Sequence, residues 1–488
     1  MYKNLIDSRF HSYLKDDVKN KIYYLDTNDI DFSKRVDIIV KINFLKAIIN
    51  NDAEKITYYE KLYIDTISAF TDNSFIEPGE SFKRSQQDYL KSFREIYINI
   101  LENGFDETKG LVPVSPSGVP LDGAHRIAIA NVLNIKIPVI ELKNLECNYD
   151  INYFDKKTKD DSLIFNLVTE LAHFDKAIRI AIVWPFAKQK DTSYLEELLN
   201  EDFIFSRSLD LSLNGINNIC LACYEKEKWI GNYKNKWDGS WGKSKKVYSD
   251  QEKTHVVLFK THGIDNDILI KEKFRQQFSG LKHCIHMTDN QEETLGLVRC
   301  TFNQNSELIL NNIQTTALKE IIYFLDKNKL YSENFVFTGS VILGLLGIRS
   351  FNDVDYIVAI GSTKSIVDKK LLSNSHNHYV KNYNHKISDY FIFNSLTFSF
   401  LGVNFIELNE LYNFKKNRNE SKDKDDIKLI ENFISGTYGI RFIFLQKKRY
   451  IIMKYKHMVG LMYKKIIVIT KLLGVYNILK KVKRNESH

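Results

Sequence analysis

The sequence predicts a mixed chain of several α/β and α+β units, and three observations carry that reading. At 488 residues it exceeds what one ordinary hydrophobic core organises, which points to about two to four domains. With 44% hydrophobic and 27% charged residues it has the composition of a globular protein with apolar surface for more than one core. Short β-branched runs such as AIRIAIVWPF and THVVLFKTH alternate with segments of helical periodicity such as VDIIVKINFLKAIIN, as strands interleaved with helices do.

Four segments follow along the chain. Residues 1–150 begin helical and pass into short strand-like runs around GLVPVSPSGVPLDGAHR. Residues 151–310 read as an α/β unit, and residues 311–435 as helix, strand, helix, strand and a charge-rich closing helix. The run RNESKDKDDIK continues into the apolar spacing of IKLIENFI, so it is expected to enter that helix and not to form a linker. Residues 436–488 form a basic tail. The net charge is +8, yet from Arg441 onward 13 Lys and Arg face one acid, so the body before it is net acidic. Nucleic acid is therefore disfavoured as a partner of the body. In the tail, apolar residues recur at three- and four-residue steps between lysines. No window reaches the length of a membrane span, and a basic amphipathic helix on an anionic membrane surface is expected. The start MYKNLIDSRFHSYLKDD lacks a secretory signal, and five cysteines form no disulfide framework. A cytoplasmic protein, peripheral on the inner membrane face through its tail, is the expectation.

The stretch FTGSVILGLLGIRSFNDVDYIVA concentrates the chemistry of the third segment. If NDVDYIVA is a strand, Asp353 and Asp355 project from one side of it. Two neighbouring carboxylates repel unless a cation lies between them, and Mg²⁺ suits an oxygen site that also takes triphosphate oxygens. Gly339 and Ser340 would open a helix whose amides and hydroxyl hold phosphate. A bland reading stands beside this one, in which the acids cap a turn.

A Gly-Ser pair, GLLGIR and then Asp-x-Asp on an apolar strand resemble the nucleotidyltransferase superfamily that includes DNA polymerase β, over about 110 residues. LGVNFIELNELYNFKKNRNESKDKDDIKLI resembles the strand, loop and helix that follow in small bacterial members. The resemblance implies transfer of a nucleoside monophosphate from an NTP, with two metals clamping the reacting oxygens. Asp353 and Asp355 match the metal-binding positions, and Gly339 and Ser340 the phosphate-holding pair. A third carboxylate is required from a later strand, with Asp389 the first choice and Glu407 the second. Lys422 and Asp423 match the downstream helix, as site or as packing residues.

In the first segment, LVPVSPSGVPLDGAHRIAIANVLNIKIPVIEL places two short strands around SPSG, then Asp122-Gly123 at a helix start. His125 and Arg126 in the first helical turn would meet an anion there; otherwise Asp122 caps the helix and the pair is structural. The motif, with INILENGFDETKGLVPV before it, resembles the ParB/sulfiredoxin fold over about 60 residues. Members bind nucleotide phosphates at this turn. The working cysteine of sulfiredoxins is replaced by Ala124, and no helix-turn-helix follows as in ParB. The resemblance therefore implies a small-molecule kinase using ATP or ADP at Asp122, Gly123, His125 and Arg126.

The middle segment yields decoys and one open question. GSWGKSKK lacks the earlier glycine of a phosphate loop, because that position is Trp237. INNICLACY is expected as a buried strand, with Cys220 and Cys223 as core residues. Lys271 and Arg275 lie one helical turn apart, and His283, His286, Asp289 and Glu292 recur at three-residue steps. HCIHMTD looks like a strand ending at a cap formed by Thr288-Asp289, which is poor for a metal. Phosphate binding by Lys271, Arg275 and His283, or a solvated face, are the two readings left.

Together these readings give a nucleotidyltransferase that passes NMP from an NTP of unspecified base, with Mg²⁺, to a sugar or polyol phosphate in surface-polysaccharide precursor synthesis, with a kinase in its first segment. The alternatives are a transferase that modifies a protein or tRNA, and a ParB-like nucleic-acid-binding regulator. Nothing in the pattern fixes an oligomeric state.

Overall fold

A computed structural model of the chain describes residues 2–14, 21–77, 83–158, 160–187, 193–277, 283–359 and 375–437, with Met458, Met462 and Ile469 beyond them. The chain is mixed α/β with three small sheets. The basic tail, with its expected amphipathic helix, lies outside the described residues apart from residues 436 and 437 and those three positions. Among the described residues no helix is long and apolar enough to cross a membrane.

The first sheet joins β1 (Ile22–Leu25), β2 (Val112–Val114) and β3 (Ile137–Glu141) in the order β1-β3-β2. The β2–β3 pair is parallel and so needs a crossover, which the helix Ala124–Leu133 supplies. Of the second strand expected around SPSG, only an isolated bridge between Val114 and Pro120 forms, because Pro120 has no N–H to extend a ladder. Behind this sheet the helix Val36–Ile49 buries ten of its fourteen residues, Asp37 and Lys41 among them. Such a helix must pair its charges internally, and Lys41 Nζ lies 2.7 Å from Asp37.

The second sheet holds β4 (Ile178–Val183), β5 (Phe203–Leu209), β6 (Thr254–Lys260) and β7 (Ile285–Met287), all antiparallel, in the order β5-β6-β4-β7. It is covered on both faces. Ile178, Ile180 and Ile182 enter the main core, while Ala181 and Val183 enter a second cluster with Val257, Phe259, Ile285 and Met287, the alternation a pleated strand imposes.

The third sheet has β8 (Phe335–Thr338), β9 (Asp355–Val358), β10 (Thr397–Phe400) and β11 (Val403–Ile406), in the order β10-β11-β8-β9. β9 is antiparallel to β8 and β11 is parallel to it. β10 and β11 form a hairpin whose two-residue turn, Leu401-Gly402, has positive φ at both positions, matching the right-handed strand twist. One continuous apolar core runs from Ile30 to Phe433 and packs on all three sheets, so the segments are fused where the sequence suggested separate cores.

Three local expectations change. INNICLACY is not a strand but lies in the helix Leu213–Tyr224, capped by Ser212; a short continuous apolar run is ambiguous between a buried strand and a buried helix. The cap after β7 is Asn290, whose side chain accepts from the Glu293 amide, and not Thr288-Asp289. Asp389 does not open a strand; it begins the short helix Asp389–Ile392.

Candidate functional site

The end of the third sheet gathers the Gly-Ser pair and one of the two acids. β8 ends at Thr338, directly opposite Asp355 at the start of β9. Gly339 then turns the chain at φ +67° and ψ −139° into the helix Ser340–Leu345. A Cβ at Gly339 would overlap Asp355 Oδ2 and lie 2.9 Å from Asp355 Cβ. The site therefore needs glycine both for its backbone angle and for the space the acid occupies. The Ser340 amide donates to Asp355 Oδ2 at 3.3 Å.

His376 Nε2 lies 3.6 Å from Asp355 Oδ1. The other ring nitrogen of His376 is 3.0 Å from the Tyr383 hydroxyl, which in turn is 3.0 Å from Thr338 Oγ1. Burial acts to raise the Asp355 carboxyl, but His376, the Ser340 amide and the field of Lys415 hold it below the usual range. Asp355 is thus an anchored, ionised carboxylate that keeps a quarter of its side chain exposed. Asp353 precedes the strand, in an exposed bend, so strand alternation does not govern its direction as the sequence suggested. Asp355 is thus anchored at the sheet end, and Asp353 is exposed two residues before it.

The third carboxylate is not delivered by either candidate. Asp389 Oδ2 accepts from the Lys386 amide at 3.0 Å, closing its own turn. Glu407 leaves β11 at the same end of the sheet as Gly339, since Phe405 pairs with Phe337 in the parallel ladder. Its carboxylate is instead bonded to Asn303 and Asn305 of the middle segment, at 2.9 and 2.8 Å. Burial pushes Glu407 up, with the two amides opposing. It lines a cavity of about 190 Å³ with Phe302, Asn303, Asn305, Asn394 and Glu410, at the seam between the middle and third segments. Among the described residues no group of three or more His, Cys, Asp or Glu is placed to hold a metal.

The downstream helices tie into the same end of the fold. Arg349, from GLLGIR, grips Asp426 through two bonds of 2.7 and 2.8 Å. Lys415 Nζ lies 2.9 Å from Asp426 and 3.4 Å from Asp423. Arg418 holds Asp423 at 3.0 and 2.7 Å. Asp423 is thus a buried network member and helix cap, while Lys422 is exposed beside Glu420, at 3.0 Å. Sequence reasoning missed His376, Tyr383, Lys415 and Arg349. The first two carry no motif, Arg349 is a single cation in the apolar stretch GLLGIR, and Lys415 stands in a charged run.

In the first segment Gly123 takes the left-handed conformation, φ +72°, and starts the helix Ala124–Leu133. His125 and Arg126 do not share one anion site. The His125 ring is buried, 2.8 Å from the Tyr63 hydroxyl and with its ring centroid 4.8 Å from that of Phe93. Burial, then the fields of Lys83, Lys41, Arg126 and Arg35, hold His125 well below its ordinary value, so it is neutral. The Arg126 guanidinium lies between two glycines, since a Cβ at either Gly110 or Gly123 would come within 3.0 Å of it. It opens on a cleft of about 350 Å³ lined by Glu95, Asn99, Phe105 and Asp106. Asp122 stands 3.8 Å from Arg9. Of the middle-segment candidates, Lys271 and Arg275 share the helix Ile264–Gln277. Cys220 is buried and free, and Cys223 half-buried and free.

Comparison of the chain with family models, with curated proteins and with solved structures gives no match.

Proposed function

We propose that residues 311–435 are a Mg²⁺-dependent nucleotidyltransferase that moves a nucleoside monophosphate from an NTP to a small phosphorylated acceptor, a sugar or polyol phosphate, in surface-polysaccharide precursor synthesis. The observation that supports it most is the packing of Asp355 against the Gly339-Ser340 turn, which sets an ionised carboxylate beside the start of a helix at one sheet end. Asp353 and Asp355 would hold the cation, which when bound supplies charge neutralisation to triphosphate oxygens. Ser340 would offer its hydroxyl to phosphate, and His376 would hold Asp355 in orientation.

The first segment is proposed to bind ATP or ADP for a small-molecule kinase step. Arg126 supports this reading, as a guanidinium with no hydrogen bond or ion pair among the described residues, at a cleft approached by two glycines. The basic tail is proposed to rest on an anionic membrane surface at the inner face of the cell membrane.

The test is incubation of the full chain with Mg²⁺, each NTP in turn and a panel of sugar and polyol phosphates. Pyrophosphate release that vanishes in Asp355→Asn is the expected result. No pyrophosphate with any pair overturns the reading, and labelled nucleotide on protein or tRNA in place of a small product moves the acceptor to a macromolecule.

A further inference from the structure

The middle segment brings three cations and a histidine together from three separate elements. Lys271 and Arg275 lie four residues apart on the helix Ile264–Gln277 and so share one face. Lys243 comes from the helix Asp238–Val247. His286 stands on the edge strand β7, opposite Ile182. Lys243 Nζ is 3.1 Å from His283 Nδ1.

Their surroundings are those of a site and not of a solvated face. Arg275 Nε and His286 Nε2 are both buried and hydrogen-bond to nothing among the described residues. A buried polar atom without a partner destabilises the fold, so two in one cluster call for an occupant. Burial, and the fields of Lys271, Lys243 and Arg275, pull His286 down to about 3. Every charge acting on that ring is positive. Burial also lowers Lys243 and Lys271, although Asp289, Asp267 and Glu293 oppose the effect on Lys271. Asp289 is exposed, and Asp267 accepts from Thr261 at 2.7 Å. An aromatic edge adjoins the cations. The Tyr224 ring lies 4.8 Å from that of His286 and 5.6 Å from Lys243 Nζ, and its centroid is 5.3 Å from that of Trp229, which is tilted to it by 53° and half exposed.

We propose that the middle segment carries an anion site of its own, in which Lys243, Lys271, Arg275 and His286 hold the phosphate of a phosphorylated small molecule whose ring lies along Tyr224 and Trp229. Phosphate satisfies both unpartnered atoms at once when His286 carries its proton on Nε2, because its oxygens accept from a guanidinium edge and an imidazole N–H together. A carboxylate offers fewer acceptors and one charge against three cations. The site is separate from the Asp355 site and does not depend on transferase chemistry there.

Isothermal titration of the full chain in EDTA, with inorganic phosphate and then pyrophosphate as probes, tests it. Phosphate should still bind in Arg126→Gln; Lys271→Gln and Arg275→Gln should each weaken that binding at least tenfold, and the exposed Lys273→Gln on the same helix should not. Asp355→Asn should bind as the parent does, which separates this site from the transferase reading. Arg275→Gln should also melt at or above the parent temperature without phosphate and lose the rise that phosphate gives the parent; a purely structural arginine would lower the melting temperature instead. Should Arg275→Gln not fold, the half-exposed Lys271→Gln decides. Absent binding in the parent, or parent-like binding in both variants, overturns the proposal. A ring-bearing sugar phosphate that binds no better than inorganic phosphate overturns the aromatic half.

Discussion

Asp355 occupies the space that a side chain at Gly339 would fill: its Oδ2 accepts from the Ser340 amide at 3.3 Å, and its Cβ would lie 2.9 Å from a Cβ on residue 339. Gly339→Ala must therefore displace either the turn or the acid. The angles φ +67° and ψ −139° add strain for any L residue, on the order of 1–3 kcal/mol. A fall in stability of about 2 kcal/mol in urea unfolding is expected, with pyrophosphate release reduced at least a hundredfold. Parent-like turnover in a folded Gly339→Ala variant would show that the Gly-Ser turn does not serve the chemistry.

The buried network of Arg349, Lys415, Arg418, Asp423 and Asp426 makes a separate prediction for the closing helices. Burial would raise Asp426, but Arg349 and Lys415 bring it down to about 2. A carboxylate depressed in the folded state gives stability that is present above its unfolded value, near 4, and is lost as pH falls toward 2. That contribution is about 2 kcal/mol. Asp426→Asn leaves Arg349 and Lys415 buried against a neutral group, so a loss of about 3 kcal/mol at neutral pH is expected. Its acid unfolding between pH 4 and pH 2 should be correspondingly shallower than the parent's, by circular dichroism.

The residues that the sequence made legible are those whose local pattern allows one structure. The helix Val36–Ile49, strands β3, β4 and β6, and the entry of RNESKDKDDIK into the helix Ser421–Ile434 all follow from periodicity and caps. Gly339, Ser340 and Asp355 meet because β8 and β9 are adjacent in sequence and pair directly. What could not be read was set by distant packing. Glu407 is claimed by Asn303 and Asn305, about a hundred residues earlier. His125 is drawn into the core by Tyr63 and Phe93; a helix-start position says that a side chain is near free amides, not which way it faces.

That inward placement of His125 has a pH signature. Its folded value lies well below the ordinary 6.5, so the unfolded chain takes up a proton that the folded chain refuses. Stability is intact above pH 6.5 and falls as pH drops below it, by about 1.4 kcal/mol per unit for one such histidine. His286, held at about 3, adds a second proton over the same window. His125→Gln should lessen the slope of unfolding free energy between pH 6.5 and pH 5 by one proton's worth. An unchanged slope would mean that the imidazole is reached by solvent and titrates normally.

His376 is expected to act on the proposed chemistry through Asp355. Its ring is buried, with one nitrogen 3.6 Å from Asp355 and the other 3.0 Å from Tyr383, whose hydroxyl reaches Thr338. That chain adjoins Oδ1 of the carboxylate while the Ser340 amide holds Oδ2, as outer partners of metal ligands do, and loss of such a partner costs about 10- to 100-fold in metal affinity or activity. His376→Gln should therefore raise the Mg²⁺ concentration for half-maximal turnover by at least tenfold, with a smaller change in the NTP concentration required. Tyr383→Phe, which breaks the chain one link further out, should show the same effect more weakly. A purely structural histidine would lower the melting temperature and leave the Mg²⁺ dependence of the folded fraction where it was, so the Mg²⁺ titration and not the melting curve assigns its role.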